Sequence, residues 1–315
     1  MPFNIPANPD KDISVQDLPL VTPEENPIIQ DLSLGDITKW YVSTSGDDTN
    51  QCHTPATACR NIQTAIDRAA NGDSIHIGAG KFEECLIVRK SLSFYGQGID
   101  VTILDGDKGD FGVFWLDGES PPANMLQISM AGLTIQNGIT NVNNYGRPRD
   151  GGGIHAVNTN LTIDSVRFYN NLAPLGGAIY FSHLFGGPPS NSLVVTNSVF
   201  FNNIAHEDGG AIHITGNLRM ENVVLDHNSG SQGASIYSEG VAQFKNIELK
   251  NGFATGSQIY NFPPYNTGVL ADFLVENSRF ENNEGDVLWI RKGRIANTSF
   301  SSNQGTVVYA DLSTE

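Results

Sequence analysis

No run of apolar residues in the chain approaches the roughly 20 that a membrane-spanning helix needs, which excludes direct membrane insertion of that kind. Positive charge is scarce as well. Lys and Arg number 18 against 34 Asp and Glu, a formal net charge of −16, so nucleic acids and anionic lipid surfaces are repelled rather than bound. Met1 to Asp10 lacks the basic-then-apolar pattern of a secretory leader, so an export signal is not present in this chain. Of the three cysteines, Cys52 and Cys59 stand with six residues between them in a loop rich in Pro and Thr, close enough to pair. A disulfide there belongs to an oxidising compartment and places the protein outside the cell or on its surface. Cys85, in FEECLIV, reads as an inert buried residue. Good helix formers are under-represented, and in their place stand 33 Gly with many Asn and Ser. That balance suits short strands joined by tight turns, an all-β chain.

Nothing in the middle of the chain reads as a linker, so one elongated domain accounts for it. The first 38 residues differ from the rest: they hold six prolines, carry mostly acidic charge and show no sustained periodicity. Residues 1–38 read as an acidic, Pro-rich tail or lead-in, and 39–315 as the folded domain.

Within that domain the sequence repeats. LTIDSVRFYNNLAPLGGAIYFSH, LVVTNSVFFNNIAHEDGGAIHITGN, LRMENVVLDHNSGSQGASIYSEG, VAQFKNIELKNGFATGSQIYNFP, FLVENSRFENNEGDVLWIRKG and RIANTSFSSNQGTVVYADLSTE align beneath one another as units of about 20 to 33 residues. A polar bend residue (Ser165, Asn197, Asn222, Asn246, Asn277, Asn297) is followed three positions later by Phe168, Phe200, Leu225, Leu249, Phe280 or Phe300. Three further on stands Asn171, Asn203, Asn228, Gly252, Asn283 or Asn303. Strands this short cannot be helices. Stacked at about 4.8 Å, successive units put each Asn over the last, so that amides bond in ladders while Phe and Leu stack inside. The expected fold is a right-handed parallel β-helix. Neither the four strands and roughly 40 residues of a propeller blade nor the LxxLxL frame of a leucine-rich repeat is present.

Asn61 to Ala70 carries apolar residues at i, i+3, i+4 and i+7, the pattern of a short amphipathic helix covering the first exposed sheet edge. The last coil has no such cover, which leaves association through that end, oligomerisation included, as an expectation.

These residues resemble the right-handed β-helix superfamily of pectate-lyase-like proteins. The stretch WYVSTSGDDTN…CRNIQTAIDRAANGDSIHIGAGKFEE is similar to the entry of its bacterial surface and secreted members. GGAI (Gly176 to Ile179, Gly209 to Ile212) and FxxN (Phe168 to Asn171, Phe200 to Asn203, Phe280 to Asn283, Phe300 to Asn303) are similar to the paired motifs of chlamydial polymorphic membrane proteins, which are autotransported adhesins. The resemblance spans about Trp40 to Glu315, and it implies that ligands lie over the first strand of each coil. The position of the Asn bend makes GAIY that strand.

Alternation along this strand turns Ile179, Ile212, Ile236 and Ile259 inward and the next residue outward. The outward positions form a stripe of rings: Trp115, His155, Tyr180, His213, Tyr237, Tyr260, Trp289 and Tyr309, with His76 extending it backwards. Such a stripe suits stacking on sugars or packing on a protein partner, and equally suits rings stabilising one another across strands. Beside it stand Asp150, Glu207 and Asp208, each just upstream of a stripe histidine, and a carboxylate near His155 or His213 is the equipment of general acid–base catalysis. Arg147, Arg149 and Arg291 are candidates for holding a uronate carboxylate. Asp before Gly-Gly is also ordinary turn chemistry. The paired-aspartate, GHG and RIK motifs of polygalacturonase-like hydrolases and the WIDH run of pectate lyases are absent. Asp105, Asp107 and Asp110 offer three carboxylates for Ca²⁺ without the full ligand spacing of a recognised calcium loop, and no other cofactor is implied. Asn160-Leu-Thr162 fits a glycosylation acceptor.

Three readings stand side by side, with the non-enzymatic one leading: a surface rod that recognises a glycan or protein through the rings, a polysaccharide lyase, hydrolase or epimerase working on the same face, and a structural rod assembling end to end.

Overall fold

The computed structural model describes residues 37–106, 112–118, 125–140, 150–183, 191–262 and 273–310. Its strands fall into two sheets, of 15 and 12 strands, in which every pairing is parallel. The first sheet runs from Lys39–Val42 through Leu126–Gln136, Thr159–Tyr169 and Asn217–Asp226 to Gly293–Ala296. The second runs from Leu86–Val88 through Phe114–Asp117, Ile154–Val157, Ile179–Ser182, Ile212–Thr215, Ile236–Glu239 and Phe253–Phe262 to Glu284–Ile290 and Val308–Ala310. This is a right-handed parallel β-helix.

The register is the one the repeat implies. Phe168 pairs with Phe200, Phe200 with Leu225, Leu225 with Leu249, Leu249 with Phe280, and Phe280 with Phe300. Where two phenylalanines are adjacent their rings lie face to face, at 4.7 Å for Phe168 and Phe200 and 5.1 Å for Phe280 and Phe300. Phe168, Phe200, Leu225, Leu249 and Phe280 are fully buried.

Each bend is built by two consecutive residues. The first, Asn170, Asn202, His227, Asn251, Asn282 or Ser302, sits at φ between 53° and 55°, where Asn is the best-tolerated residue after Gly. The second points inward and bonds along the stack. Asn171 Nδ2 donates to Asn203 Oδ1 at 2.9 Å, and Asn203 Nδ2 to Asn228 Oδ1 at 3.0 Å. The same oxygens also accept the backbone N–H of Asn171 and Asn203, at 3.1 and 3.0 Å. Gly252 interrupts this ladder, and Asn283 Nδ2 resumes it toward Asn303 Oδ1 at 2.8 Å. The bends at Asn197, Asn222 and Asn246 carry a second, outer ladder, with amide contacts of 3.1 and 2.9 Å.

The Gly-Gly pairs are steric. Gly209 has φ 71°, and a Cβ on Gly210 would stand 2.1 Å from the carbonyl oxygen of Ala234 in the next coil.

The helix, Ile62–Arg68, buries Ile62, Ala65 and Ile66 against the first strands. Its N-terminal N–H groups on Ile62 and Gln63 are held by the Glu84 carboxylate at 2.8 and 3.0 Å. Lys90 Nζ reaches the carbonyls of Ile66 and Ala69 at the other end, at 3.0 and 2.6 Å, so both poles of the helix dipole meet opposite charge. Cys52 and Cys59 are joined in a disulfide with Cα atoms 5.0 Å apart, and Arg68 Nη1 lies 3.1 Å from Cys52 Sγ. Cys85 takes no part in that disulfide and is partly rather than fully buried.

Candidate functional site: a column of stacked rings

The strands that begin with the buried Ile of GAIY place the next side chain outward at the same height in every coil. Trp115, His155, Tyr180, His213, Tyr237, Tyr260, Trp289 and Tyr309 are each in register with the next. Their rings form one column. Centroids are separated in order by 4.2, 5.2, 5.4, 4.6, 5.2, 4.4 and 5.8 Å, and no successive pair of planes is inclined by more than 22°.

The column differs from an open stripe in two respects. Its rings are half-buried, and Tyr309 alone among them is exposed. More important, each inner ring spends both faces on its neighbours. A sugar stacks on a ring face, so the column offers a ligand ring edges, hydroxyls and ring nitrogens instead. His76 does not belong to it. It lies on the other sheet, stacked between Tyr41 and Tyr95 at 5.3 Å from each, because its strand pairs with Lys39–Val42 and Leu92–Tyr95.

Two residues further along each strand a second outward row runs beside the rings: Asp117, Val157, Ser182, Thr215, Glu239 and Phe262. Tyr237 Oη donates to Glu239 Oε1 at 3.1 Å. Burial, and then the Glu239 charge, push the Tyr237 phenol well above its ordinary range. Arg291 lies over the Phe262 ring, 5.4 Å from its centroid, and Arg89 pairs with Asp117 at 3.0 Å.

Before the rings, at the entry to each strand, Asp150, Leu175, Asp208 and Gln232 occupy equivalent positions. Gly151 N–H donates to the Leu175 carbonyl, Gly176 N–H to Asp208 and Gly209 N–H to Gln232. Asp150 is 8% exposed, and its Oδ1 has no hydrogen-bond partner. Burial raises its pKa to about 6, with the Glu207 charge adding to the rise. Asp208 is raised for the same two reasons. His155 Nδ1 meets the main-chain carbonyl of Asp150 at 3.0 Å, not its carboxylate. His213 is pushed down to about 4 by burial alone, and its Nδ1 is buried without a hydrogen-bond partner. Both imidazoles are therefore neutral at pH 7, without a carboxylate partner to make either a strong base.

Asp105 is buried and engaged elsewhere, 2.9 Å from Lys81 Nζ and accepting from Gln136 Nε2 at 2.7 Å. Asp107, Asp110, Arg147 and Arg149 lie outside the described residues. Among the described residues no group of three or more His, Cys, Asp or Glu is placed to hold a metal ion.

The segment that joins the inner ladder to the ring column matches a known sequence family. Residues 197–215 fit the Chlamydia polymorphic membrane protein repeat. The chain carries one such repeat there. It contains the bend at Asn197, the ladder residue Asn203, the Gly209–Gly210 pair and His213, so the match covers most of one coil with its share of the column. No protein of curated function matches the chain by sequence. Among solved structures, a rhamnogalacturonan lyase aligns over 85% of this chain and 74% of its own, with 13% identity and a TM-score of 0.50. A pectin methylesterase from Aspergillus niger aligns over 86% and 87%, with 13% identity and a TM-score of 0.42. The A-module of a mannuronan C-5 epimerase from Azotobacter vinelandii aligns over 80% and 91%, with 16% identity and a TM-score of 0.30. At such identity the likeness to the lyase concerns the path of the chain alone.

Sequence reasoning found every ring of the column from the alternation after GAIY. It missed the outward row with Glu239, for which the ES in IYSEG was the available signal, and it missed that the ring faces close on one another, which depends on side-chain rotamers.

Proposed function

We propose that the protein is a secreted or surface-displayed binding rod that recognises a glycan or protein partner through the edge of the ring column. The observation that carries this reading is the column itself: eight rings in register over successive coils, with polar edges on a half-buried face. The polymorphic membrane protein repeat supports a surface or secreted location, and no helix of the described residues is long and apolar enough to cross a membrane. The catalytic alternative lacks a paired acid and base: His155 is tied to a backbone carbonyl and His213 is desolvated.

A screen of oligosaccharides, polysaccharides and peptides reporting both binding and turnover tests the reading. Tyr180→Phe with Tyr237→Phe keeps the stack and removes two hydroxyl edges. Binding that is lost in this variant while its melting temperature stays near that of the parent supports recognition by the edges. Turnover abolished by His213→Ala would overturn the binding reading in favour of an enzyme.

A further inference from the structure

The outward row of the first sheet that holds His76 runs Tyr41, His76, Tyr95, Ala131, Asp164 and Thr196, in register from coil to coil. Its first three side chains are a stack of rings, and the stack stops at Tyr95. One face of the Tyr95 ring is turned to His76, so the other looks along the row toward Ala131, and among the described residues it stacks on no second ring. Ala131 carries only a methyl group, and Asp164 is the next side chain of any reach. Tyr95 and Asp164 are therefore two steps apart, about 10 Å at about 4.8 Å per step, with the Ala131 methyl as the floor between them. All three residues are partly exposed. In the ring column, by contrast, neighbours close both faces of every inner ring.

The other sides of this notch are also built. On one side the segment after Tyr95 folds over the bend at Gly132: Gly98 N–H donates to the Gly132 carbonyl at 2.7 Å, and Arg167 Nη1 holds Asp100 Oδ1 at 2.8 Å. On the other side the hydroxyls of Ser93 and Ser129, two residues before Tyr95 and Ala131, meet at 2.8 Å. Asp164 is held in one orientation. Its Oδ1 accepts from Thr196 Oγ1 at 2.6 Å and from Asn197 Nδ2 at 2.8 Å, both in the following coil. That leaves Oδ2, which accepts from Ser165 Oγ at 3.1 Å, as the oxygen on the Ala131 side, with an acceptor position to spare.

We infer that the notch between Tyr95 and Asp164 is a binding site for one neutral pyranose unit of a glycan. It lies on the other sheet from the ring column and does not depend on it. A pyranose has an apolar C–H face and an edge of hydroxyls, which matches a free ring face on one wall, a carboxylate on the facing wall and serine hydroxyls at the side. Stacked about 3.5 to 4 Å from Tyr95, the sugar fills the place of the missing ring, and the rest of the spacing lets a hydroxyl reach Asp164 Oδ2. A uronate brings its own carboxylate against Asp164 and is disfavoured. A guanidinium would also stack on a phenol, but Asp164 already receives three donors, so a further neutral hydroxyl suits it better than a second charge.

The experiment titrates the full chain with the methyl β-glycosides of glucose, galactose, mannose and N-acetylglucosamine and follows each by saturation-transfer NMR. Methyl β-glucuronide and methylguanidinium are the comparison arms. At least one neutral glycoside is expected to bind, with saturation concentrated on the C–H groups of one ring face. Ala131→Tyr, which puts a ring where the sugar would lie, is expected to weaken that binding at least about tenfold. Asp164→Asn, whose amide oxygen still accepts from Asn197, is expected to weaken it at least about fivefold, and it carries the test should Ala131→Tyr fail to fold. Glu248→Gln, away from the notch, is the unaffected control. Binding undiminished in the folded variants, no binding by any of the neutral glycosides, or tighter binding of the glucuronide or of methylguanidinium overturns the inference. Binding lost in Tyr180→Phe/Tyr237→Phe but kept in Ala131→Tyr returns recognition to the ring column and overturns this site. The converse pattern supports this site whatever becomes of the column.

Discussion

His213 and Tyr237 lie face to face, their ring centroids 4.6 Å apart and their planes within 6° of parallel. On the other face of His213 lies Tyr180, so this imidazole is enclosed on both sides by phenol rings and its charged form is strongly disfavoured. Asp150, two coils away, is disfavoured in its charged form as well. The column therefore concentrates groups that resist ionisation, and its behaviour with pH follows from their opposite signs.

Asp150 titrates at about 6 in the folded chain against 3.8 ordinarily, so the stability it contributes is full below about pH 4 and is lost as pH rises through 6. His213 titrates at about 4 against 6.5, so its contribution is full above pH 6.5 and is lost as pH falls toward 4. Between pH 4 and 6 the two oppose each other, each worth on the order of 3 kcal/mol over its window. Asp150→Asn is expected to stabilise the protein at pH 7 and to expose a steeper acid decline. His213→Phe, which keeps a ring in the stack, is expected to remove that decline. Denaturant unfolding from pH 3.5 to 7.5 measures both, and unchanged slopes in the two variants would refute the assignment.

The two asparagine ladders differ in what they hold. Asn203 is fully buried, accepts from Asn171 and donates to Asn228 Oδ1 and to the Phe168 carbonyl at 3.1 Å. Asn203→Ala strands several buried groups at once and is expected to cost about 3 to 5 kcal/mol. Asn222, at φ 56° on the outer ladder, is part-buried. Asn222→Gly keeps the left-handed bend without penalty and is expected to cost under about 1 kcal/mol. Chemical denaturation of the two variants separates these expectations.

Much of this was legible before any coordinates. The column from Phe168 to Phe300 could be read because polar bend, large apolar residue and Asn recur at fixed offsets whatever the loop length between them. The ring column followed from a period of two after a buried Ile. The αL residue of each bend was harder to place, since Asn170 and Asn171 are the same amino acid and only one turns inward. The burial of Asp150 was not legible, because Asp before Gly-Gly reads as a solvated turn. The compensation at Gly252 was also hidden, for the residue that answers it lies on the strand that follows the bend.

The rings of the column also support the fold. Tyr237 stacks on His213 and on Tyr260, and Tyr237→Ala removes both contacts together with the hydroxyl bond to Glu239. With each pair worth about 0.5 to 1.5 kcal/mol, the expected loss is about 2 to 4 kcal/mol, while Tyr237→Phe loses only the hydrogen bond, about 1 kcal/mol. Binding assays on the Ala variant alone would confuse recognition with stability. Paired unfolding curves for Ala and Phe decide which of the two a lost interaction reports.

Gly252 breaks the inner ladder where Asn would continue it, and the buried amide of Gln258 takes the space. A Cβ on Gly252 would lie 2.1 Å from Gln258 Oε1, and Gln258 Nε2 donates to the Glu284 carbonyl at 2.7 Å while Ser235 Oγ reaches Gln258 Oε1 at 3.3 Å. The backbone at Gly252 is not in the left-handed region, so the obstacle to a side chain is steric. Gly252→Asn is therefore expected to destabilise by about 2 to 4 kcal/mol, from overpacking against a fixed amide. Combined with Gln258→Ala, the same Asn gains room to join Asn228 to Asn283 and restore a continuous ladder. The coupling in a double-mutant cycle is expected to be favourable by at least about 1 kcal/mol, because the two sites share one space. Additive costs in that cycle would show that Gln258 does not stand in for the missing asparagine, and the break would then need another cause.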